Sequence, residues 1–529
     1  MSHPVISDDL ATNLIQRVAV GDTFRRRAAA VPHQIAVVDH GFPEPVTQTF
    51  AQLNSAMNRF VHGARRNNLT QGDKLAILGL NSAEYLIALY GCAKAGIIAV
   101  PINPGISPKD LVHILNHAEA KGVVVDSILA PLVNQISGQC PRLETRVAIP
   151  IGDAAIPQEF HSFKDFLDPE NDTEVEDVII KDRDTFEILY TSGTTGNAKG
   201  VEISHLSVFI SSLTTAIEFG LVPGDRTTMM LPIFHCAQQA VTYASLNMGG
   251  TVDIIREFNP ERVLGILEKV NLSFALPMMY RALIHAPGAQ DRDWSALRSC
   301  IFAMAPMDQP TLEAGIKRFG ARFLLGTGQT ECFPPTNLFI ANDYMDKRGN
   351  YWGQSNMALD TAVMDPSGKL LPPGEVGEIV WRGPLVMTQY YKDEKATRES
   401  REFAWHHSGD LGCFDQDGQL LFVDRKKDMI KTGGENVASI KVERCLLGHE
   451  GVDQAAVVGL PHPRWSEAVT AFVVRQRDSD LSEDQLIAHC KKELGKFEVP
   501  KQVIFLESLP VTATGKVRKN ILRQAGSPE

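Results

Sequence analysis

The sequence predicts an α/β protein whose large N-terminal domain has two helix-covered, mostly parallel sheets and a small β-rich subdomain, followed by a smaller α+β domain. Two observations predict this fold class. Short apolar strands alternate with helices through most of the chain, and after about residue 360 the pattern changes to short strands separated by turns. With 529 residues, 44% hydrophobic and 22% charged, the composition is typical of a folded globular protein.

The alternation is clear in two stretches of the large domain. KLAILGLNSAEYLIALYGCAKAGIIAVPI, at 74–102, predicts strand, helix and strand. From residue 227 onward, strands are predicted in TTMMLP, TVDII, SFALP, SCIFAMAP and RFLLGTGQTE, and helices in QQAVTYASL, NPERVLGILEKV and PTLEAGIKRFG. Gly249-Gly250 is predicted to end the first of these helices, Asn259 and Pro260 to open the second, and Gly320 to close the third. Such β-α-β alternation indicates parallel sheets covered by helices.

The domain boundaries are predicted from changes in the secondary-structure pattern along the chain. Residues 361–424 are short β-like runs with the turn signals PSG, PPG and QDGQ, and the charged segment DRKKD follows. A compact α+β set comes next, with a helix opened by the capping-box pattern Ser482 to Gln485. We predict a large domain over 1–425, with lobes near 1–180, 181–335 and 336–425, and a small domain over 426–529, connected by the charged segment at 424–428.

Charge and cysteine usage narrow the class of protein. A formal net charge of -11 argues against a nucleic-acid partner. Eight scattered cysteines without a C-x-x-C pair suggest neither a zinc site nor a disulfide framework. The N-terminus lacks the pattern of a secretory signal, and the most apolar stretch is interrupted by Lys94 and Pro101, so no transmembrane segment is predicted. We expect a cytoplasmic protein, and the sequence leaves a homodimer open.

The segment TSGTTGNAKG, at 191–200, is rich in glycine and hydroxyl side chains and lies between two predicted strands, EILY and VEIS. It is not a Walker P-loop, because Lys199 is followed by Gly200 rather than by serine or threonine. Glycines let several backbone N–H groups point into one concavity, and Lys199 adds a positive charge. The segment therefore suits phosphate oxygens, although its composition alone also fits a flexible surface loop.

Six motifs in order resemble those of the adenylate-forming superfamily, which includes acyl-CoA synthetases, nonribosomal adenylation domains and firefly luciferase. They are YTSGTTGNAKGV, LPIFH at 231–235, GTGQTE at 326–331, SGD at 408–410, DRKKDMIKTGGENV at 424–437 and TATGK at 512–516. The resemblance covers nearly the whole chain and includes the acyl-CoA synthetase branch. It implies a two-step reaction: ATP and a carboxylic acid give an acyl-adenylate and pyrophosphate, and coenzyme A then displaces AMP to form a thioester.

The resemblance also implies a role for individual residues. Those expected to bind ATP or AMP are Thr191, Ser192, Gly193, Thr194, Thr195, Gly196, Lys199, Met304, Ala305, Pro306, Gly326, Thr327, Gly328, Gln329, Asp410 and Arg425. Thr330 is expected at the α-phosphate, Glu331 on Mg²⁺, Asp410 and Arg425 at the ribose, and Lys516 at the carboxylate and α-phosphate during adenylation. His235 is expected beside the carboxylate of the acid. The expected acyl pocket consists of Phe234, His235, Phe302, Ala303 and Met304.

The two half-reactions imply a moving small domain. Lys516 and Asp410 fall on opposite sides of DRKKD, so the resemblance implies an active site completed by both domains, with Lys427 at the hinge. After rotation, the turn that contains Gly433, Gly434 and Glu435 is expected to face the thiol of coenzyme A.

Three residues depart from the family pattern. Thr327 stands where many relatives have an aromatic residue that stacks on adenine, and threonine offers less surface for stacking. Phe302 and Met304 stand where small residues are common, and Met304 is expected to narrow the acyl pocket. These departures predict altered ATP contacts and altered acid selectivity.

The leading hypothesis is a free-standing acyl-CoA ligase that acts on a fatty or aryl acid. An amino-acid adenylating enzyme is disfavoured, because CAQQAV after LPIFH lacks the acidic residue needed for a substrate ammonium group. Loading of a carrier protein, a luciferase-like oxygenase and a catalytically silent adenylate-binding regulator stay as alternatives. A Rossmann dehydrogenase is weaker, because no G-x-G-x-x-G follows an N-terminal strand.

Overall fold

The computed structural model describes residues 7–526 apart from 43, 192–197 and 512–516. The helices are α1 (Asp8–Gln16), α2 (Asp22–Ala30), α3 (Phe50–Arg66), α4 (Ala83–Ala95), α5 (Pro108–His117), α6 (Ala130–Ile136), α7 (Phe163–Phe166), α8 (His205–Phe219), α9 (Cys236–Asn247), α10 (Pro260–Leu267), α11 (Pro277–His285), α12 (Gln309–Phe319), α13 (Glu394–Glu399), α14 (Ser439–Leu447), α15 (Glu483–Glu493) and α16 (Lys519–Gly526).

The strands are β1 (Ile35–Asp39), β2 (Val46–Thr49), β3 (Lys74–Leu78), β4 (Ile98–Ile102), β5 (Ala120–Asp126), β6 (Thr145–Ile149), β7 (His161–Ser162), β8 (Thr185–Thr191), β9 (Lys199–Ser204), β10 (Arg226–Met229), β11 (Thr251–Ile254), β12 (Leu272–Ala275), β13 (Ser299–Phe302), β14 (Arg322–Gln329), β15 (Cys332–Ile340), β16 (Asn350–Ser355), β17 (Asp360–Met364), β18 (Gly377–Arg382), β19 (Gln389–Tyr390), β20 (His406–Phe414), β21 (Leu420–Arg425), β22 (Ile430–Thr432), β23 (Glu435–Val437), β24 (Val452–His462), β25 (Ser466–Arg475) and β26 (Gln502–Phe505).

The chain divides into two compact units. The first contains residues 1–347, 352–360 and 381–406, and the second contains 348–351, 361–380 and 407–529. The predicted domain boundary at 425 and the hinge at 424–428 stay predictions. Among the described residues, no helix is both long and apolar enough to cross a bilayer.

Two sheets form the frame of the first unit. One runs in the order β19-β9-β8-β4-β3-β5-β6-β7, and its strands from β8 to β7 pair in parallel. The other contains β14-β13-β12-β10-β11-β1 as a parallel core, with β15 and β2 added antiparallel. The predicted architecture of two helix-covered, mostly parallel sheets is confirmed.

Local sequence signals define several helices of the first unit. Asn259 caps α10, with Pro260 in its first turn, and Gly320 ends α12 in the left-handed conformation, as predicted. Helix α9 ends at Asn247, just before Gly249-Gly250, as predicted, but it begins at Cys236, two residues before the predicted start. Its beginning is fixed by the side chain of His235, which accepts a hydrogen bond from the N–H of Ala237.

The second unit begins with antiparallel β structure and ends with an α+β sheet. Strands β17, β18, β20 and β21 are neighbours in that order, and β20 pairs antiparallel with β21. The C-terminal sheet has the order β23-β22-β25-β24, with β26 parallel to β25, and α14, α15 and α16 accompany it. The predicted capping box of α15 is present, with reciprocal hydrogen bonds between Ser482 and Gln485.

Candidate active site

The glycine-rich segment joins two antiparallel strands, as its flanks predicted. Thr191 at the end of β8 pairs with Lys199 at the start of β9, so both ends of the segment meet at the same end of this strand pair. Ser192, Gly193, Thr194, Thr195 and Gly196 lie outside the described residues. The strand frame thus fixes where the segment leaves the sheet and where it returns.

Lys199 lies over an aromatic ring. Its Nζ atom is 5.0 Å from the ring centroid of Tyr390, and 3.7 Å from a carboxylate oxygen of Asp393. Both members of this ion pair are more than a third exposed, so their attraction contributes little to stability. The ammonium group therefore remains available to a stronger anion, while the ring limits the directions in which it can point.

Tyr390 connects Lys199 with Glu331. The Tyr390 hydroxyl donates a hydrogen bond of 3.0 Å to a carboxylate oxygen of Glu331. Burial, and then the charge of Glu331, raise the pKa of Tyr390, so the hydroxyl keeps its proton and serves as a donor. A second contact comes from the backbone, where the N–H of Met387 donates to the carbonyl of Glu331 at 2.8 Å. The carboxylate expected to bind Mg²⁺ is thereby held at a fixed position.

Thr330 and Glu331 form the two-residue loop of the β14–β15 hairpin, in which Gln329 pairs with Cys332. The Thr330 hydroxyl is 3.9 Å from the sulfur of Cys236, at the start of α9. The amide of Gln329 donates to Nε2 of His406 at 3.1 Å. The register shifts between Thr327 and Gln329, on either side of Gly328. The hairpin therefore places Thr330 beside the N-terminus of α9.

His235 and Phe234 precede α9. Nδ1 of His235 accepts the N–H of Ala237 at 3.2 Å, which places the ring proton of a neutral imidazole on Nε2. Phe234 is partly buried and packs against the core of the first unit. His235 thus has a defined orientation through its capping role, and Nε2 is the nitrogen able to donate.

A narrow apolar cavity borders the GTGQTE motif at the end of β14. Its volume is about 20 Å³, which is room for one water molecule. Its walls come from α8, α9, β12, β13, β14 and β15: Phe219, Ala237, Ala240, Val241, Phe274, Ile301, Ala303, Gly326, Thr327, Pro334 and Pro335. A Cβ atom on Gly326 would lie 3.1 Å from the ring of Phe219, so the glycine allows that ring to approach the strand. No charged side chain is among these lining residues.

The cavity includes only part of the predicted acyl pocket. Ala303 lines it, whereas Phe234, His235, Phe302 and Met304 are not among the lining residues. Phe302 is the last residue of β13, and its side chain is buried in the core. Met304 adopts a positive φ of 67°, a conformation that suits glycine better than a side chain. Ala305 and Pro306, expected near adenine, are exposed after this turn.

The predicted ribose residues belong to the second unit, where they lie opposite each other. Asp410 on β20 pairs with Arg425 on β21, and Nε of Arg425 is 3.8 Å from a carboxylate oxygen of Asp410. The preceding Gly409 has a φ of 74°, so the SGD sequence marks an irregular point of the strand. The carboxylate and the guanidinium thus form a neighbouring pair at the end of a hairpin.

The hairpin β22–β23 explains the glycines of the GGEN sequence. Gly433 and Gly434 have φ values of 60° and 89° and form its two-residue loop, a geometry that requires positive φ at both positions. The N–H of Gly433 donates to the carbonyl of Trp465 at 2.8 Å, and Glu435 begins the return strand. Nearby, the carbonyl of Lys427 accepts from Arg523 at 3.4 Å. Lys516 lies outside the described residues.

Sequence reasoning missed Tyr390, Asp393 and most of the cavity. Tyr390 and Glu331 are 59 positions apart, and no spacing pattern connects them. The available signal was the polar QYYKDE segment after an apolar run, which indicates an exposed edge strand rather than a site. Of the cavity residues on α9, Ala240 and Val241 belonged to the predicted helix, whereas Ala237 precedes its predicted start.

Comparisons with known proteins identify the family of this chain. The model of the AMP-binding enzyme family matches residues 24–391, and that of the AMP-binding enzyme C-terminal domain matches residues 441–516. A feruloyl-CoA synthase from Amycolatopsis sp is 34% identical over 502 residues, which cover 94% of this chain and 97% of that protein. The long-chain-fatty-acid–CoA ligase FadD13 of Mycobacterium tuberculosis is 32% identical over 510 residues, which cover 96% of this chain and 98% of that protein.

A solved structure shows the same fold. ATP-bound MatB from Rhodopseudomonas palustris aligns with a TM-score of 0.86 at 27% identity, covering 96% of this chain and 98% of MatB. The resemblance indicated by the six motifs is therefore confirmed. Because the first family model spans well over half of its length, the chain belongs to the AMP-binding enzyme family.

Proposed function

We propose that this protein is an AMP-forming acid–thiol ligase that activates an apolar carboxylic acid and transfers it to coenzyme A. ATP and the acid give an acyl-adenylate and pyrophosphate, and the thiol of coenzyme A then displaces AMP to give acyl-CoA. Family membership and the ligase relatives support the reaction class. The choice of acid rests on the cavity.

One observation carries the proposal most directly. The β14–β15 hairpin presents Gly326 and Thr327 to the apolar cavity, and Glu331 to the Tyr390 hydroxyl. An acid whose tail occupies the cavity would therefore direct its carboxylate along the hairpin toward the residues that hold ATP. This arrangement brings nucleophile and α-phosphate together, which is the main requirement of the first step.

We assign the phosphate groups of ATP to the region around Tyr390, where Lys199 and Glu331 both lie. Thr191, the residues of the adjoining loop and Lys199 hold the β- and γ-phosphates, and Thr330 donates to the α-phosphate. Glu331 fits Mg²⁺, because it is a partly buried carboxylate with only one oxygen bonded to Tyr390, and hard oxygen ligands suit this ion. Bound there, Mg²⁺ would neutralise phosphate charge.

The remaining nucleotide roles stay proposals. Met304, Ala305, Pro306, Gly328 and Gln329 surround the adenine. Asp410 accepts hydrogen bonds from the ribose hydroxyls, and Arg425 adds a second contact. These assignments follow the motif order, and the pairing of Asp410 with Arg425 is consistent with a shared role.

Lys516 and the GGEN hairpin are assigned to different half-reactions. Lys516 supplies positive charge during adenylation, and the hairpin with Gly433, Gly434 and Glu435 faces coenzyme A during thioester formation, after rotation near Lys427. A cytoplasmic location and a homodimer also stay predictions.

The uncharged lining of the cavity favours an acid without a second charge, and because the cavity has room for only one water molecule, a fatty or aryl tail enters only if its walls move apart. Its lining residues are apolar or neutral, and burying a charged tail among them would be costly. Phe219 and Phe274 limit the space, so a larger acid requires these rings to move. The small side chains of Ala237 and Ala240 on α9 keep this cavity from being filled.

Substitutions that resize the cavity test this assignment. Ala240→Leu should lower kcat/KM for long or aryl acids about tenfold or more while sparing the shortest accepted acid, since one methylene is worth about 1–3 kcal/mol in such pockets. Phe219→Leu should shift preference toward larger acids. Pyrophosphate release measures both effects, and thermal unfolding checks the fold. A uniform loss across all acids, or no change, would place the acid elsewhere.

A further inference from the structure

A cluster of metal-ligating side chains lies where α14 and α15 meet in the second unit. Cys445, His489 and Glu493 each offer one ligand atom, and these three atoms lie within 4.8 Å of one another. Cys445 and His489 are 44 positions apart in the sequence, so no short sequence motif indicates the cluster. The fold alone brings the thiol, imidazole and carboxylate together.

The imidazole of His489 is already oriented. Its Nε2 lies 2.9 Å from the carbonyl oxygen of Cys445. A carbonyl only accepts hydrogen bonds, so Nε2 carries the proton and Nδ1 of the neutral ring is the atom able to bind a cation. Histidines that bind metals generally donate their other N–H to such a partner. Glu493 is one helical turn beyond His489, so both side chains project from the same face of α15.

The surroundings complete the cluster. The ring of His449 meets that of His489 edge-on, with centroids 5.1 Å apart. Cys445 and Cys490 are buried, whereas Glu493 is exposed, so the cluster is shielded from solvent at the cysteines and open to solvent at Glu493. Burial raises the pKa of the Cys445 thiol, so a cation would have to displace its proton.

We propose that Cys445, His489 and Glu493 form a binding site for Zn²⁺ or a similar borderline transition-metal ion, distinct from the Mg²⁺ position at Glu331. One sulfur, one nitrogen and one oxygen ligand suit Zn²⁺ or Co²⁺, whereas Mg²⁺ and Ca²⁺ prefer oxygen ligands throughout. Water completes a four-coordinate shell. Because its ligands come from two helices, the ion would hold α14 against α15.

Cobalt provides the most direct test. The full-length protein, reduced and stripped of metal, is titrated with CoCl₂. The expected result is one equivalent bound, with a thiolate-to-cobalt charge-transfer band and the visible bands of tetrahedral Co²⁺, both removed by one equivalent of Zn²⁺. Absence of the charge-transfer band at saturating Co²⁺ would overturn the proposal.

Variants assign the ligands. Cys445→Ser should remove the charge-transfer band, and Glu493→Gln should weaken Co²⁺ binding at least about tenfold, a change in line with loss of a metal ligand. Glu493 is exposed, so its variant should fold even if that of Cys445 does not. The control Cys413→Ser alters a partly exposed cysteine of the same unit outside the cluster and should bind as the unchanged protein does. Equal binding by Glu493→Gln and the unchanged protein would contradict the assignment.

Discussion

At the scale of single residues, Tyr390 joins the lysine expected at the phosphates to the carboxylate expected on the metal. Tyr390→Phe keeps the ring beneath Lys199 and removes the hydrogen bond to Glu331. Hydrogen bonds to charged groups are worth about 1.5–3 kcal/mol, so we expect kcat/KM for pyrophosphate release to fall about tenfold or more.

Tyr391→Phe is the matched control, because the neighbouring hydroxyl lies 3.4 Å from Glu119 rather than near Glu331. Its activity should stay close to that of the unchanged protein. Equal losses in the two variants would show that the Tyr390 hydroxyl has no special role.

Glu187 on β8 carries a buried carboxyl whose pKa burial raises from 4.5 to about 8. Because the folded-state pKa is the higher one, the stability contributed by the protonated form is fully present below pH 4.5 and is lost as the pH rises to about 8. Glu187→Gln should remove this loss, so its stability relative to the unchanged protein should increase by a few kcal/mol between pH 5 and pH 8.

Urea unfolding at several pH values measures this effect. Glu399→Gln, an exposed change on α13, serves as the control and should follow the unchanged protein at every pH. A pH profile of Glu187→Gln that runs parallel to that of the unchanged protein would contradict a neutral buried carboxyl.

The sequence pointed to Lys199 and Glu331 through motifs, but not to Tyr390. The first two residues belong to short, ordered signatures, whereas the tyrosine acts through a contact that only the fold creates. The same holds for Cys445 and His489, which meet through helix packing. Candidate residues within a short motif could be named from the sequence, whereas contacts between distant residues could not.

At the scale of elements, the GGEN hairpin is defined by backbone geometry. Gly434 has a φ of 89°, and no atom lies within 4 Å of an added Cβ. Gly434→Ala should therefore strain the backbone without causing a steric clash. We expect a loss of about 1–2 kcal/mol in the free energy of unfolding. Gly138→Ala is the control, since its Cβ also meets open space and no positive φ is involved. Equal stabilities of the two variants in urea would contradict the turn assignment.

Strands and helices were predicted best where apolar periodicity and capping residues agree. Asn259, Pro260 and Gly320 bound their helices as expected. The start of α9 was missed because His235, which is not among the strongest capping residues, provides the cap. Strand order was not predictable in detail, since β1 lies beside β11 and β9 beside β19, pairs that come from distant parts of the chain.

At the scale of the whole molecule, the resemblance implies that different parts of the small domain serve the two half-reactions. Lys516→Ala should abolish ATP-dependent pyrophosphate release yet still convert supplied acyl-AMP and coenzyme A into thioester, because we propose that the charge of Lys516 is needed only for adenylation. Lys496→Ala, an exposed lysine change in the same part of the chain, should leave both steps unchanged. Equal loss of both half-reactions in Lys516→Ala would contradict the assignment.

Pyrophosphate release from ATP and Mg²⁺, measured across fatty, branched, hydroxy and aryl acids with and without coenzyme A, tests the central claim most directly. The proposed ligase should release pyrophosphate only with an accepted acid, should turn over many times only when coenzyme A is present, and should yield the matching acyl-CoA. Binding of ATP or AMP without release for any acid, or without a thioester product, would contradict it.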